Sequence, residues 1–342
     1  MMKKISVVIP THNRPDLLNQ AINSICNQTY NDWEIIVIDD ASNSAIDEIE
    51  LRQKHNSSTI KVLNNEVAQG IAKVRYQGAK EATGDYIIQL DDDDLLAPEA
   101  LQTCVNFLNK NPHIPIAFIG VEGFGEKKDY FNRVQTEAVN KLLARTLAKT
   151  SESDTFCFDQ SLFDALLISV PSAFQHPMAT RKAWLTTNAL RSKAFCLLPG
   201  IDTEEQAINN LTDPFNECEW SLYASVLFRS ALINKPFYLA RCEGHRYYSV
   251  PAQKERHLYA NIKLQSCLYQ ASRSLADLAK KQPEIKKTLA QNYFNLAYHF
   301  FYTRQKEKAW KPLWTALKLF PRLAYAKFGL RMLLPPSRTP IE

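Results

Sequence analysis

The chain has 342 residues, of which 45% are hydrophobic and 23% charged, a composition typical of a globular protein with about two domains. It holds no run of about 18 apolar residues, and its first apolar stretch, residues 5–9, stops at Pro10. We therefore expect neither a membrane-spanning helix nor a secretory signal peptide. The 7 cysteines are scattered without a C-x-x-C pair, which is typical of reduced thiols in the cytoplasm.

The net charge of +5 is distributed unevenly along the chain. Residues 280–342 hold 13 Lys/Arg against 3 Asp/Glu, so the rest of the chain holds 28 against 33 and is mildly acidic. Such an asymmetry indicates contact between the basic segment and an anionic surface, either a membrane or a nucleic acid.

Short apolar runs alternate with helical patterns over segment 1–110. The alternation predicts an α/β fold with a doubly wound, mainly parallel sheet flanked by helices. In chain order, the predicted elements are strand 5–10, helix 15–27, strand 34–38, helix 44–55, strand 59–63, helix 70–83, strand 85–90 and helix 98–110.

Polar side chains follow three of these strands at their carboxyl ends, where parallel sheets bind ligands. The chain has only 9 glycines and neither a G-x-G-x-x-G nor a P-loop motif. Side chains and a metal, rather than a glycine-rich backbone, would therefore hold the phosphates of a nucleotide, which argues against dehydrogenases and P-loop enzymes. The polar clusters are Thr11-His12-Asn13-Arg14, Asp39-Asp40 and Asp91-Asp92-Asp93-Asp94.

The four consecutive aspartates Asp91–Asp94 directly follow the apolar run 86–90. Two unit charges about 4 Å apart repel by roughly 4 kcal/mol at an effective dielectric constant near 20. A cation among the carboxylates would relieve this repulsion, and oxygen-only ligands favour Mg²⁺ or Mn²⁺ over zinc. The alternative is an acidic turn that caps the helix starting near Pro98.

Several motifs, in their order and spacing over residues 3 to about 110, resemble those of the family 2 glycosyltransferases with the GT-A fold. They are SVVIPTHNR at 6–14, VIDDAS at 37–42, Gly70, Arg75 and Gly78 in the spacing of a G-x-x-x-x-R-N-x-G stretch, and GDYIIQLDDDD at 84–94 in place of a D-x-D. The resemblance implies transfer of a sugar from a nucleotide diphosphate sugar with inversion at the anomeric carbon. Two positions depart from the family pattern, namely Tyr76 in place of Asn and Ala68 in place of Asn.

The resemblance also implies roles for individual side chains. Asp39 would accept the N–H of the base, whereas its alternative role is to cap a following helix. Arg75 would contact the diphosphate or the base, and its alternative is a solvated position on a helix surface. The nucleotide-sugar site would comprise Pro10, Thr11, Asn13, Arg14, Asp39, Asp40, Arg75, Asp91 and Asp92.

For the metal, Mn²⁺ or Mg²⁺, the resemblance implies Asp93 and Asp91 as ligands, with Asp94 beside them. Four aspartates in a row leave the register of the D-x-D open by one residue. His245 follows the strand-like run 237–240, where the family often has a histidine near the metal, and its alternative is a histidine in a surface loop. His176, which precedes Pro177, is interpreted as structural.

Inverting transfer needs a carboxylate that takes the proton of the acceptor hydroxyl. The family usually supplies it from a Glu-Asp-Trp stretch, and alignment on Trp220 puts Glu219 at the base position and Cys218 where a Glu is usual. Glu217 is the second candidate, and the acidic residues of segment 202–205 are a third. Alternatively, Glu217 and Glu219 are acids in the first turn of a helix predicted to include 223–232.

From about residue 255 the pattern is helical throughout. Trp310, Leu313, Trp314 and Leu317 form an i, i+3, i+4, i+7 stripe among lysines, and further leucines and aromatics around Phe328 follow among basic residues. Trp310, Trp314 and Phe328 are predicted to anchor this segment in an anionic membrane surface. The alternative is a helical lid that packs on the catalytic domain, and nucleic acid is not expected because no recognition module accompanies the charge.

Taken together, the sequence predicts a nucleotide-sugar-binding half at 1–110, an acceptor-binding half at 111–254 and a helical basic segment at 255–342. The function expected is an inverting transferase that uses a UDP-sugar donor and a saccharide or lipid-linked saccharide acceptor of the lipopolysaccharide type. We expect it in the cytoplasm, peripheral to the inner face of the membrane. The alternatives are a non-catalytic sugar-nucleotide binding module, if Cys218 marks a lost base site, and a sugar nucleotidyltransferase.

Overall fold

The computed structural model describes residues 3–152, 154–159, 161–197, 216–243 and 251–333, with only the backbone for 149–152, 216–218 and 251–254. These residues form two compact units. The first holds a sheet with its helices, and the second consists mainly of the helices that begin at residue 251.

Ten strands form one sheet in the described part of the first unit. The strands are β1 Ile5–Thr11, β2 Trp33–Asp39, β3 Ile60–Asn64, β4 Tyr86–Gln89, β5 Leu95–Leu96, β6 Ile116–Phe124, β7 Lys149–Glu152, β8 Thr155–Phe158, β9 Pro177–Thr180 and β10 Ser230–Arg241. The helices that accompany them are α1 Pro15–Cys26, α2 Glu48–Lys54, α3 Ile71–Glu81, α4 Ala100–Lys110, α5 Lys128–Leu143, α6 Ser161–Ile168, α7 Arg181–Phe195 and α8 Asn216–Leu227.

The strand order is β3-β2-β1-β4-β9-β6-β10-β8-β7, with β5 paired to β10. The first four strands are parallel, and Thr11 at the end of β1 lies opposite Asp39 at the end of β2. β9 runs antiparallel between β4 and β6, and β10 runs parallel to β6. The predicted α/β class with a mainly parallel sheet flanked by helices is confirmed, and the carboxyl ends of β1, β2 and β4 meet at one edge.

The core of this unit lies between the sheet and the apolar faces of α1 and α4. Ile5, Val7 and Ile9 point to the same side of β1, and all three are fully buried. Against this side pack Leu18 and Ile22 of α1, which recur at the helical spacing that predicted them. Each such side chain stabilises the fold by about 1.5–3 kcal/mol relative to an exposed one.

The helix predicted to include residues 223–232 ends earlier than expected. Helix α8 ends at Leu227, and β10 begins at Ser230, within the segment 223–232 that was predicted to be helical. Residues Ser230–Ile233 pair with β6 on one side and with β8 on the other, so both edges of the strand are enclosed. An apolar run of this kind does not alternate, and periodicity cannot distinguish it from a buried helix.

The second unit is helical, as predicted for the C-terminal segment. Its core includes Leu289, Phe300, Leu313 and Phe328, so the prediction that Phe328 anchors the chain in a membrane is wrong. Phe328 makes ring contacts with aromatic side chains of the neighbouring helix instead. Within the described residues, no helix is both long and apolar enough to span a membrane. The helices are α9 Pro251–Ser272, α10 Ala276–Ala279, α11 Gln282–Tyr302, α12 Lys306–Leu319 and α13 Leu323–Leu333.

Candidate functional site

The acidic turn, residues Asp91–Asp94, follows β4, and its side chains point in two directions. Asp91, Asp93 and Asp94 each place one carboxylate oxygen within 4.8 Å of the others. Asp92 lies apart from this group, where it accepts a hydrogen bond from the Thr11 hydroxyl at 2.7 Å. None of the four caps helix α4, whose N-cap residue is Glu99 without a side-chain cap, so the capping alternative does not hold.

The carboxylates of this turn lie in an environment that disfavours charge on all but one of them. Burial raises the pKa of Asp94 to about 8, and the neighbouring Asp91 and Asp93 carboxylates add to the shift. Burial also raises the pKa values of Asp92 and Asp93. Burial opposes ionisation of Asp91 too, but the charge of Arg75 prevails and lowers its pKa.

Three crowded oxygen ligands that repel one another fit a hard divalent cation. Mg²⁺ and Mn²⁺ take such ligands, whereas zinc prefers nitrogen and sulfur. The cluster of Asp91, Asp93 and Asp94 therefore agrees with the predicted metal site as far as donor chemistry goes. His245, the other predicted ligand, lies outside the described residues.

Arg75 lies inside the protein rather than on the helix surface. It is 5% exposed, and its guanidinium pairs with Asp91. Helix α3 is held at this edge because Asp40 accepts hydrogen bonds from the backbone N–H groups of Gln69 at 2.7 Å and Gly70 at 2.9 Å. The solvated alternative for Arg75 is therefore excluded.

Asp39 and Asn13 order the loops that follow β2 and β1. The Asp39 carboxylate accepts a hydrogen bond from the backbone N–H of Ser42 at 3.2 Å, and Asn13 Oδ1 accepts one from the N–H of Asn43 at 2.8 Å. Asp39 does not cap a helix, because the next helix, α2, is capped by Asp47. The helix-capping alternative for Asp39 therefore does not hold.

A cleft of about 340 Å³ opens beside these loops. This volume is within the range of small-molecule sites. Arg14 spans the gap between the cleft and the acidic turn, with its Nη1 at 3.1 Å from Asp92 and 3.2 Å from Asp93. Five of the predicted nucleotide-sugar-binding residues line the cleft, namely Pro10, Thr11, Arg14, Asp40 and Asp92.

Strand β10 brings residues to the acidic turn that sequence reasoning missed. The backbone N–H of Arg241 donates to Asp94 at 2.7 Å, and the Tyr238 hydroxyl accepts from the backbone N–H of Asp91 at 3.3 Å. His176 stacks on the Tyr238 ring with centroids 3.6 Å apart. Burial lowers the pKa of His176 to about 4, so this ring is neutral near pH 7. No local pattern marks these residues, because they lie far from the turn along the chain.

Glu219 is fully buried in a pair with Arg191, with 3.1 Å between Glu219 Oε2 and Arg191 Nη2. The next residue, Trp220, packs against Trp184 with ring centroids 4.1 Å apart. The role of Glu219 as a base therefore stays a prediction. The side chain of Glu217 and the acidic segment 202–205 lie outside the described residues.

Comparisons with known proteins bear on this arrangement. A GalNAc(5)-diNAcBac-PP-undecaprenol beta-1,3-glucosyltransferase of Campylobacter jejuni is 39% identical over 110 residues, which cover 32% of this chain and 36% of that protein. The structure of S. aureus TarS 1-349 with UDP-GlcNAc matches with a TM-score of 0.58 and 16% identity, over 93% of this chain and 82% of that chain. The mannosyltransferase PcManGT of Pyrobaculum calidifontis, in complex with GDP-Man and Mn²⁺, matches with a TM-score of 0.53 and 14% identity, over 97% of this chain and 79% of that one.

At these identities the two structures show a shared fold and no more. The chain spans half or less of the length of the first curated relatives, between 36% and 50%. The family model described as Glycosyl transferase family 2 matches residues 6–183, just over half of the chain. The chain therefore belongs to glycosyl transferase family 2.

Proposed function

We propose that the protein is an inverting glycosyltransferase that transfers a sugar from a UDP-sugar to a saccharide or lipid-linked saccharide acceptor. The products would be cell-surface polysaccharides or lipopolysaccharides. The observation that carries the proposal is the group of Asp91, Asp93 and Asp94 at the carboxyl end of β4, with the buried Arg75 beside it. A metal-binding turn next to a guanidinium suits a diphosphate.

The acidic turn and its arginines would bind the diphosphate together. Asp91, Asp93 and Asp94, with His245 as a further proposed ligand, would hold Mn²⁺ or Mg²⁺, which would neutralise charge on the diphosphate leaving group. Arg75 would contact a phosphate oxygen from the other side. Support for a divalent cation also comes from the similar fold of PcManGT, which was solved with Mn²⁺.

The nucleoside would lie in the cleft between the ends of β1 and β2. Pro10, Thr11 and Arg14 would form one wall of the cleft. Asn13 would contact the nucleoside from the same loop, and Asp39 would accept the N–H of the base. Asp40 would contribute by ordering the segment before α3, and Asp92 would contribute by holding Thr11. The N–H of uracil would suit Asp39, and support for a UDP-sugar comes from TarS, which was solved with UDP-GlcNAc.

The proton of the acceptor hydroxyl would pass to Glu219, with Glu217 as the second candidate. A base must come within about 2.6–3.2 Å of the hydroxyl oxygen that it deprotonates. Glu219 now pairs with Arg191 inside the protein. To act as the base, Glu219 would have to give up part of its pairing with Arg191 and form a hydrogen bond with the acceptor hydroxyl.

The second unit would bind the anionic inner face of the cytoplasmic membrane, where lipid-linked acceptors would be presented. Trp314, Leu323, Leu330 and Leu333 are between 58% and 72% exposed. The basic apolar surface consists of these four side chains with the exposed cations Lys311, Lys318, Lys327 and Arg331. A lipid-linked acceptor also suits the relative from C. jejuni, whose name includes PP-undecaprenol.

The complete burial of Glu219 favours one alternative, a module that binds sugar nucleotides without transferring the sugar. A panel of UDP-Glc, UDP-GlcNAc, UDP-glucuronic acid and GDP-mannose distinguishes the two functions. We expect hydrolysis or transfer of at least one UDP-sugar with Mn²⁺ and none in excess chelator. UDP binding by calorimetry without turnover of any donor would favour the binding module, and absence of UDP binding would overturn both.

A further inference from the structure

A small polar cavity lies beside Arg75, separate from the cleft described above. Its void measures about 10 Å³, room for one water-sized group. Two guanidinium groups contribute to its lining, and no carboxylate does so among the described residues. The lining residues are Arg75, Tyr76, Gln89, Gln175, Pro177, Trp184, Asn188, Arg191 and Trp220.

Two stacked tryptophans line this cavity, and they differ in whether the indole N–H has a hydrogen-bond acceptor. The indole Nε1 of Trp184 donates to the carbonyl oxygen of Ile87 at 2.9 Å, which satisfies it within the fold. The Nε1 of Trp220 is buried and finds no acceptor among the residues that the structure describes. Trp220 is 1% exposed, so bulk water does not compensate, and a buried N–H without an acceptor is costly.

The cavity connects the two groups of residues to which the proposed reaction assigns roles. Arg75 lines it and pairs with Asp91 of the acidic turn, and Arg191 lines it and pairs with Glu219. A sugar attached to a diphosphate at the acidic turn would therefore lie next to the cavity. The lining includes two arginines and Trp220, whose buried indole N–H finds no acceptor among the described residues, so the group that the cavity suits is an oxygen that accepts hydrogen bonds.

We propose that this cavity receives one acceptor oxygen of the transferred sugar, the oxygen of an N-acyl group or of a carboxylate, with Trp220 Nε1 as its donor. The inference rests on the proposed function. A neutral hexose leaves the position to a water molecule, because its C2 hydroxyl ends two bonds short of an N-acyl oxygen and its C6 hydroxyl lacks the charge of a carboxylate. The protein therefore discriminates in favour of N-acylated or uronic acid donors over plain hexosyl donors.

The test compares UDP-GlcNAc, UDP-glucuronic acid and UDP-Glc as donors for the full chain and its Trp220→Phe variant. For the unchanged protein we expect kcat/KM to be at least about tenfold higher with one of the first two donors than with UDP-Glc. Trp220→Phe keeps an aromatic ring but removes the N–H, so this ratio should fall about tenfold. A higher kcat/KM with UDP-GlcNAc would identify the group in the cavity as the N-acyl oxygen, and a higher value with UDP-glucuronic acid would identify it as the carboxylate.

Trp33→Phe is the matched control, since it removes another buried indole N–H that finds no acceptor among the described residues, but at the amino end of β2 and outside the cavity lining. It should leave the donor ratio unchanged. A further measurement uses the unchanged protein, so its result does not depend on whether either variant folds. The indole N–H resonance of Trp220 should shift with the preferred donor and not with UDP or UDP-Glc.

Preference for UDP-Glc, an unchanged ratio in Trp220→Phe, or an indole resonance that responds equally to UDP alone would overturn the proposal. UDP binding and donor turnover would persist in those cases, and the proposed function would stand. Failure of UDP to bind at all would instead contradict the proposed function and this inference with it.

Discussion

The four aspartates after β4 illustrate how neighbouring residues of one type acquire different roles. Asp92 is held by Thr11 and Arg14, whereas Asp91, Asp93 and Asp94 converge on one point. β4 ends at Gln89, and the backbone turns at Asp92 and Asp93, where the N–H of Asp94 donates to the carbonyl oxygen of Asp91 at 3.2 Å. The turn therefore lets three of the four carboxylates converge although the residues are consecutive.

Replacement of Asp93 by Ala should abolish turnover, because the diphosphate leaving group would lose its metal. A steady-state assay with the best UDP-sugar and Mn²⁺ measures this, and Asp129→Ala, on the exposed start of α5, is the control that should remain active. Without divalent cation, Asp93→Ala should change the melting temperature little, since it relieves repulsion with Asp91 but also removes the ion pair with Arg14. Full activity in excess chelator would contradict the prediction.

Replacement of Glu219 by Gln should lower kcat by about 10²-fold or more and leave UDP affinity unchanged. It should also destabilise the fold by roughly 3–5 kcal/mol, because Arg191 would remain as a buried cation without its carboxylate. The double change with Arg191→Gln should recover stability but not activity. If Glu217→Gln is the inactive variant instead and Glu219→Gln is normal, the base lies two residues earlier.

At the scale of elements, side chains at the amino ends of the strands fasten β1, β2 and the loop before β4. Glu34 of β2 accepts hydrogen bonds from Lys4, just before β1, at 2.7 Å and from Ser6 of β1 at 2.5 Å. It also accepts one from the backbone N–H of Thr83 at 2.8 Å. Burial opposes ionisation of Glu34, but these donors prevail and lower its pKa to about 2. The network lies at the opposite end of the strands from the acidic turn.

The stability that Glu34 provides should depend on pH. The pKa is lowered in the folded state, so this stability is present above the unfolded value near 4.5 and is lost as pH falls towards 2. Glu34→Gln should destabilise the protein by about 2 kcal/mol at pH 7 and flatten the pH dependence of the melting temperature between pH 5 and 2. An equal loss of stability at pH 7 and pH 2.5 would contradict this.

Gly78 allows helix α3 to lie directly on β1. A Cβ atom at this position would collide with Cγ1 of Val8, which is fully buried in the sheet. Gly78→Ala should therefore destabilise the protein by about 1–3 kcal/mol in denaturant titrations. The second change Val8→Ala should recover part of this loss, whereas it should only destabilise when introduced alone.

At the scale of the whole molecule, the uneven charge of the sequence is carried by a folded helical unit. Tyr325, Phe328 and Met332 of α13 form the side that packs in the core, while Leu323 and Leu330 remain exposed. A helix with a buried stripe and a second exposed apolar stripe among cations is suited to an anionic membrane surface.

Binding to anionic vesicles should weaken steeply with salt without vanishing, and it should be poor on neutral vesicles. The double variant Trp314→Ser/Leu330→Ser should lose the vesicle binding that persists at high salt. Its melting temperature should be unchanged, because both side chains are exposed. Ile49→Ser, which changes an equally exposed apolar residue of α2, is the control in co-sedimentation.

Equal recovery of the protein with neutral and anionic vesicles would contradict the membrane proposal. If truncation near residue 300 instead destabilises the whole protein and the intact chain shows no lipid preference, the helical segment is a lid.

The sequence by itself determined the elements of segment 1–110, apart from the two-residue strand β5, and the polar clusters at their ends. These features rest on local patterns: the apolar runs of β1 and β2, the helical spacing of Leu18 and Ile22, and the aspartates directly after β4. Parallel pairing of consecutive strands then requires their carboxyl ends to meet, so the candidate site followed from local information alone.

Only the tertiary structure decided what surrounds that site. Tyr238, Arg241 and His176 reach the acidic turn through strand pairings between segments that are far apart in the chain, and Arg191 meets Glu219 across the separate helices α7 and α8. The helical interpretation of 230–232 and the exposed position expected for Phe328 were wrong for the same reason. Burial on both sides is a property of the assembled sheet or bundle, and no local periodicity encodes which apolar face meets a neighbour.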